Sequence, residues 1–215
     1  MLLWTQLSDG LVSSAFTESV SSTTTATQSS STAVSTQRGS ALNILRVIID
    51  QLIALSSMGV VNVRDAVTEA VLTIGHRIVS YSVDLTDQVT TIQRQMAAEA
   101  NNSKGSNPGK SSRSSFSAKY QAFAKQSEKA EGLIKELTAI VTLIFNSVLV
   151  HRIKDVQFPL RMLCAKHLMN WMNANPKKFY KDEYLKYLGW LTYDPSQYVR
   201  KEALICIGEL LKVQN

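Results

Sequence analysis

Few residues in this 215-residue chain have the type and spacing that chemistry requires. Gly105-Ser106-Asn107-Pro108-Gly109-Lys110-Ser111 has the composition of a phosphate-binding loop, but three residues separate its glycines where that loop needs four. It also follows a helical pattern instead of a strand, so its amides have no sheet edge from which to cradle phosphate, and it reads as a flexible turn. His151-Arg152-Ile153-Lys154-Asp155 has the residue types of a kinase catalytic loop, in which His, Arg and Asp are consecutive; here they are not, and no Gly-rich strand accompanies them. His76 and His167 lie in helical patterns without a second ligand at metal spacing, and Cys164 and Cys206 lie in apolar helical patterns without a CxxC pair. No nucleophile with a base and an orienting partner can be assembled, so the expectation is no enzyme, no metal, no cofactor and no small-molecule substrate.

Recognition chemistry is better represented. Lys177-Lys178-Phe179-Tyr180-Lys181-Asp182-Glu183-Tyr184-Leu185-Lys186-Tyr187-Leu188-Gly189-Trp190 is the densest aromatic stretch. Tyr184, Tyr187, Leu188 and Leu191 share one helical face, which leaves Trp190 to the side of it, at the edge of a groove. The plainer reading, that these rings are all core, competes with it. Charge is concentrated too: residues 100 to 129 carry six basic side chains and one acidic, and residues 151 to 215 carry eleven basic and six acidic. Lys104, Lys110, Arg113, Arg152, Lys154, Lys177 and Lys178 in those segments are candidates for phosphate contact with non-specific DNA. A solvated basic surface is the alternative.

The elements that must carry these residues are helical. Residues 1 to 40 are dominated by Ser and Thr, with little to bury, and are expected to be a disordered tail. From Ala41 the apolar residues Leu42, Leu45, Ile48, Ile49, Leu52 and Leu55 recur at three and four, predicting a first helix that closes at Ser56-Ser57-Met58-Gly59. Val67, Val71, Ile74, Ile78, Tyr81 and Leu85 begin a second long helix, and Phe116, Tyr120, Phe123, Ser127, Ala130, Ile134, Leu137, Val141, Ile144 and Val148 trace a third. Joined through a flexible tip at 101–113, the two long arms are expected to form an antiparallel hairpin over 62–150, each arm roughly 50 Å long. Shorter helices are expected over 156–173, 181–192 and 197–212, with Pro159 in a first turn and Asp194-Pro195-Ser196 as a stop and cap. The last of these, with Val199-Arg200, reads as half of a HEAT repeat, and Val63-Arg64 is a fainter echo of it.

Composition sets the class. The apolar content of 45% suffices for a sizeable core, and 23 Lys and Arg against 17 Asp and Glu give a net charge of +6 and a pI of about 9.3. The longest near-continuous apolar run, residues 139 to 150, is too short to span a bilayer, so no membrane partner is expected.

Taken in order, Val150-His151-Arg152-x-Lys154-Asp155, Trp171-Met172, Tyr184-Leu185-Lys186-Tyr187-Leu188-Gly189-Trp190 and Val199-Arg200 closely resemble the signature domain of the stromalin family, the HEAT-repeat subunit of cohesin. The resemblance extends over about residues 41 to 215, with signature helices at 151–215. It implies an all-α fold, a HEAT-like α-solenoid segment with a long helical hairpin. It also implies a nuclear, chromosome-bound scaffold in sister chromatid cohesion that binds the kleisin subunit and ring of cohesin, DNA, and regulators. In the family a groove takes peptides of the form aromatic-x-Phe. Carried over by motif, Asp182, Leu185, Tyr187 and Trp190 sit in that groove with Lys186 beside it: indole and phenol form an apolar slot while carboxylate and ammonium fix the peptide backbone. The Ser/Thr-rich beginning and the Ser- and Gly-rich tip depart from the family. Relatives are also much longer, so the chain is expected to be a piece of such a subunit or a divergent member. A stand-alone basic DNA-binding module and a generic α-solenoid adaptor are the alternatives.

Overall fold

A computed structural model describes residues 30–104 and 112–213, with side chains described over 41–99 and 120–212. Among the described residues the structure is helical, with no strand. Helix α1 spans Ser30–Ser56, α2 Val61–Lys104 and α3 Ser112–Ile144; one π-turn at Phe145–Leu149 and a final turn, α4 at Val150–Arg152, continue α3. Then come α5 (Phe158–Ala174), α6 (Pro176–Phe179), α7 (Asp182–Leu191) and α8 (Gln197–Val213). Helix α1 begins at Ser30, earlier than the expected start at Ala41. Once the apolar turns downstream have nucleated the helix, each added residue gains a hydrogen bond, and Ala33, Gln37, Arg38 and Ala41 are good carriers of it. Residues 1–29, with most of the expected tail, and 105–111 of the expected tip lie outside the described residues.

The chain divides into two compact units, one from residues up to Arg77 together with those from Thr142 on, the other from Ile78–Val141. In the second unit, Ile78, Val79, Leu85 and Val89 of α2 and Leu137, Ile140 and Val141 of α3 are buried. Gln93 Nε2 donates to Glu131 Oε1 at 3.3 Å, and the Ser127 hydroxyl donates to the same oxygen at 2.9 Å. That cross-link fixes the direction of the pair. Were the helices parallel, the end of α2 and the start of α3 would lie about 45 Å apart, beyond the roughly 28 Å that the connecting residues can span. The arms are therefore antiparallel, as the sequence predicts.

In the first unit α5 packs most extensively on α8, α7 packs on α8, and α1 meets the π-turn. Around the π-turn Ile144, Phe145, Val148 and Leu149 are all buried. By length and composition the helix Tyr120–Arg152 could cross a membrane. Its most apolar positions, Leu137 to Leu149, include seven residues buried within the fold. Cys164 and Cys206 are free and buried, and burial raises both thiols, Cys206 to about 11.

One bonding pattern recurs where α2 and α5 begin. Arg64 Nη1 reaches the Met58 carbonyl oxygen six residues back at 3.4 Å, and Arg161 Nη1 reaches the Asp155 and Val156 carbonyl oxygens at 2.7 and 3.0 Å. The rest of each guanidinium holds a buried carboxylate in front of a later helix: Arg64 pairs with Asp155, before α5, at 3.2 Å, and Arg161 grips both oxygens of Asp194, before α8, at 2.7 Å. Each carboxylate also accepts the backbone N–H two residues on, from Gln157 at 3.0 Å and Ser196 at 2.8 Å. The Arg161 guanidinium holds the Asp194 carboxyl below its ordinary range.

Behind each arginine runs a stripe at helical spacing. On α2 it is Thr68, Val71 and Gly75; on α5 it is Ala165, Leu168 and Met172; all six are buried. Gly75 is there because the Trp171 indole fills the space of a side chain, with its Nε1 donating to the Leu72 carbonyl oxygen at 3.2 Å. Gly75→Ala would force a methyl into Cζ2 of that ring, and the helix backbone allows no retreat. We expect a loss of about 2–3 kcal/mol in chemical denaturation; an unchanged midpoint would refute this packing.

Between α2 and α5, burial lowers the His167 imidazole to about 4, with His76 adding to the shift, and burial also lowers His76. A base whose folded pKa is depressed binds its proton more readily when unfolded. Stability is therefore fully present above about pH 6.5 and falls as pH drops toward 4, by on the order of 2–3 kcal/mol for His167. In His167→Gln the difference in unfolding free energy between pH 7 and pH 5 is expected to shrink; an equal slope in both proteins would exclude His167 as its source.

Candidate functional site

The signature stretch folds as a short turn and a helix. Asn175 caps α6 by accepting the Lys178 N–H at 3.2 Å, and α7 then starts with Asp182 and Glu183, whose carboxylates suit the positive end of a helix. Tyr187, Leu188 and Leu191 are buried, which orients α7.

Its rings continue an aromatic series that starts deep inside. Fully buried Trp171 lies 5.9 Å from Phe179 between centroids, Phe179 4.9 Å from Tyr184, and Tyr184 4.8 Å from Phe145. Phe145 is 5.5 Å from Tyr187, and Tyr187 is 5.2 Å from Trp190. From Phe179 outward each contact is edge-to-face, as ring quadrupoles favour, while Trp171 is tilted at 54° to Phe179. The series ends at the surface: Tyr187 is 8% exposed and Trp190 is 52% exposed. Lys154 Nζ stands 5.2 Å from the centroid of the indole and Lys186 Nζ 5.8 Å, with Lys186 also 5.2 Å from Tyr187. Two ammonium groups thus flank an exposed indole seated on a buried phenol.

This geometry sorts the expected site residues. Lys186, Tyr187 and Trp190 are brought together. Tyr187 is a floor, not the wall of a deep slot, because Phe145 covers its other side. Asp182 is exposed two turns from Trp190, about 12 Å along the axis, and Leu185, 39% exposed, lies about 140° around the helix from it. Neither is set against the indole by α7. Lys154, read from sequence as a phosphate contact, belongs with the indole; its motif gives no hint of this, because the contact joins distant stretches of chain.

Of the other basic candidates, Arg152 is committed to Asp155 at 2.7 Å and is no free phosphate ligand. Lys177 is exposed, whereas Lys178 lies 5.2 Å over the Phe179 ring and its pKa is lowered by burial. The side chains of Lys104, Lys110 and Arg113 lie outside the described residues. Among the described residues no cluster of His, Cys, Asp or Glu has the make-up of a metal site.

Residues 154–215 match the family model of the stromalin conservative domain. Cohesin subunit scc-3 of Caenorhabditis elegans is 31% identical over 148 residues, 69% of this chain and 13% of that protein. Cohesin subunit SA-3 of Mus musculus is 30% identical over 169 residues, 78% of this chain and 13% of its own length, and sister-chromatid cohesion protein 3 of Arabidopsis thaliana is 29% identical over 166. Among solved structures, cohesin subunit Scc3 from Z. rouxii superposes with a TM-score of 0.66 at 24% identity, over 74% of this chain and 17% of that one. The chain thus spans about an eighth of the length of the first two relatives. It belongs to the stromalin family, whose conservative domain it carries at residues 154–215.

Proposed function

We propose that the chain acts without catalysis as part of a cohesin scaffold on chromosomes in the nucleus, joined to the kleisin subunit and ring, and that Trp190 is the anchor for regulator peptides of aromatic-x-Phe form. The observation that carries this is an indole left 52% exposed at the end of a packed series of rings. A ring supported from below loses little freedom when a ligand covers it, as binding anchors require. Lys154 and Lys186 add fixed positive charge for a peptide carbonyl or carboxylate.

Titration of a fluorescent aromatic-x-Phe peptide into the chain and into Trp190→Ala tests the site. A loss on the order of 2 kcal/mol is expected; equal affinity, with an unchanged circular dichroism spectrum, would dismiss it. Tagged chain recovered from nuclear extract should carry cohesin ring subunits, and recovery without any of them would remove the scaffold reading.

The basic segments favour a second activity, contact with DNA through Lys177 and its neighbours. Affinity for duplex should fall steeply between about 50 and 200 mM salt. A flat response would eliminate direct DNA binding.

A further inference from the structure

The bonding pattern at the starts of α2 and α5 occurs a third time at α8, where Arg200 places Nη1 2.8 Å from the Asp194 carbonyl oxygen and 2.9 Å from that of Pro195. The three loops that enter these helices are therefore tied in series. Arg64 joins the Met58 carbonyl to Asp155, Arg161 joins the carbonyls of Asp155 and Val156 to Asp194, and Arg200 closes on the Asp194 loop. They line one edge of the first unit as three rungs.

A solvent-facing loop is ordinarily polar, yet this edge is apolar. Val60 is exposed on the first rung, Val156 and Phe158 on the second, and Tyr193 and Tyr198 on the third. The middle rung shows that this is no effect of the ends: Val156 has a rung on either side of it and is still 90% exposed. Phe158 and Tyr198 bridge the second and third rungs as a stacked pair, 5.6 Å between centroids and 24° from parallel. Each rung also carries one carboxamide where its helix begins: Asn62, Gln157 and Gln197.

Spacing selects the backbone that fits this edge. Helices packed side by side repeat at about 8–10 Å, and the rungs that begin them share that interval. A polyproline II chain brings every third residue to the same face, about 9 Å apart, whereas a β-strand turns its third residue to the opposite face. A helix also returns a residue to one face after about 10 Å, but its carbonyls are spent on its own turns. Those of polyproline II are free to accept from carboxamides and phenols, and its apolar rings pack on aromatic side chains.

We propose that this edge is a docking surface for a proline-rich segment of a partner chain in the polyproline II conformation. Apolar residues three apart in that segment sit on Val60, on Val156 with Phe158, and on Tyr193 with Tyr198, while Asn62, Gln157 and Gln197 donate to its carbonyls. The surface shares no residue with the Trp190 site and does not rest on it.

A decaproline peptide titrated into the chain and followed by calorimetry is the probe. Saturable binding is expected, weakened about tenfold or more by Tyr198→Ala and by Val156→Asp. Val156 is so exposed that its substitution should leave the thermal midpoint unmoved, which separates lost binding from lost folding. Trp190→Ala should bind decaproline as the parent chain does; a loss there would put the peptide at the indole and overturn the proposal. Failure to saturate up to about 1 mM, equal affinity in all variants, or equal binding of an alanine-rich helical peptide would overturn it as well.

Discussion

Two carboxylates with almost no access to water, Asp155 and Asp194, are where the helices of the first unit are locked to one another. A carboxylate so enclosed is tolerated only if its charge is met: Asp155 is met by Arg64 of α2 and Asp194 by Arg161 of α5, and each also accepts the backbone amide two residues on. Removing Arg161 would strand the Asp194 charge, at a cost of about 3–5 kcal/mol, whereas Asp155 would keep Arg152. The register of α2, α5 and α8 follows from these pairs, because each arginine is also tied to the carbonyl six residues behind it and has no freedom to slide. Apolar stripes supply the bulk of the attraction, but they are nearly smooth along a helix. The ion pairs select which turn meets which.

Packing in this unit also explains why an aromatic side chain can be left outside. Phe145 is placed by the π-turn, Phe179 by the capped turn of α6, and Trp171 by the gap at Gly75. Together they brace Tyr184 and Tyr187, and Tyr187 supports Trp190. The indole therefore stands on a rigid floor, although half of its surface faces water, and the two lysines beside it are held by its ring as much as by charge.

Much of this was legible in the residues. The three- and four-residue stepping of Leu137, Val141, Ile144 and Val148 marks a buried seam, and the helical face shared by Tyr187, Leu188 and Leu191 leaves Trp190 to one side. The periodicity places Ile74 in the seam of α2, whereas the structure puts Gly75, which has no side chain to register, against Trp171. The start of α1 at Ser30 was invisible because Ser and Thr carry no apolar period, and helix propagation does not need one.

Sequence alone determined the helical class, the order of the arms and the place of the signature motif, because those depend on local periodicity and on turn residues close in the chain. Tertiary structure decided the rest. Arg64 with Asp155, Arg161 with Asp194, and Lys154 with Trp190 are each separated by a turn of the whole fold, and no local preference of either residue specifies the other. It also decided that Arg152 is consumed by an ion pair and that Leu185 faces away from the indole, because the side on which a helical residue emerges matters only once a neighbour has claimed one face.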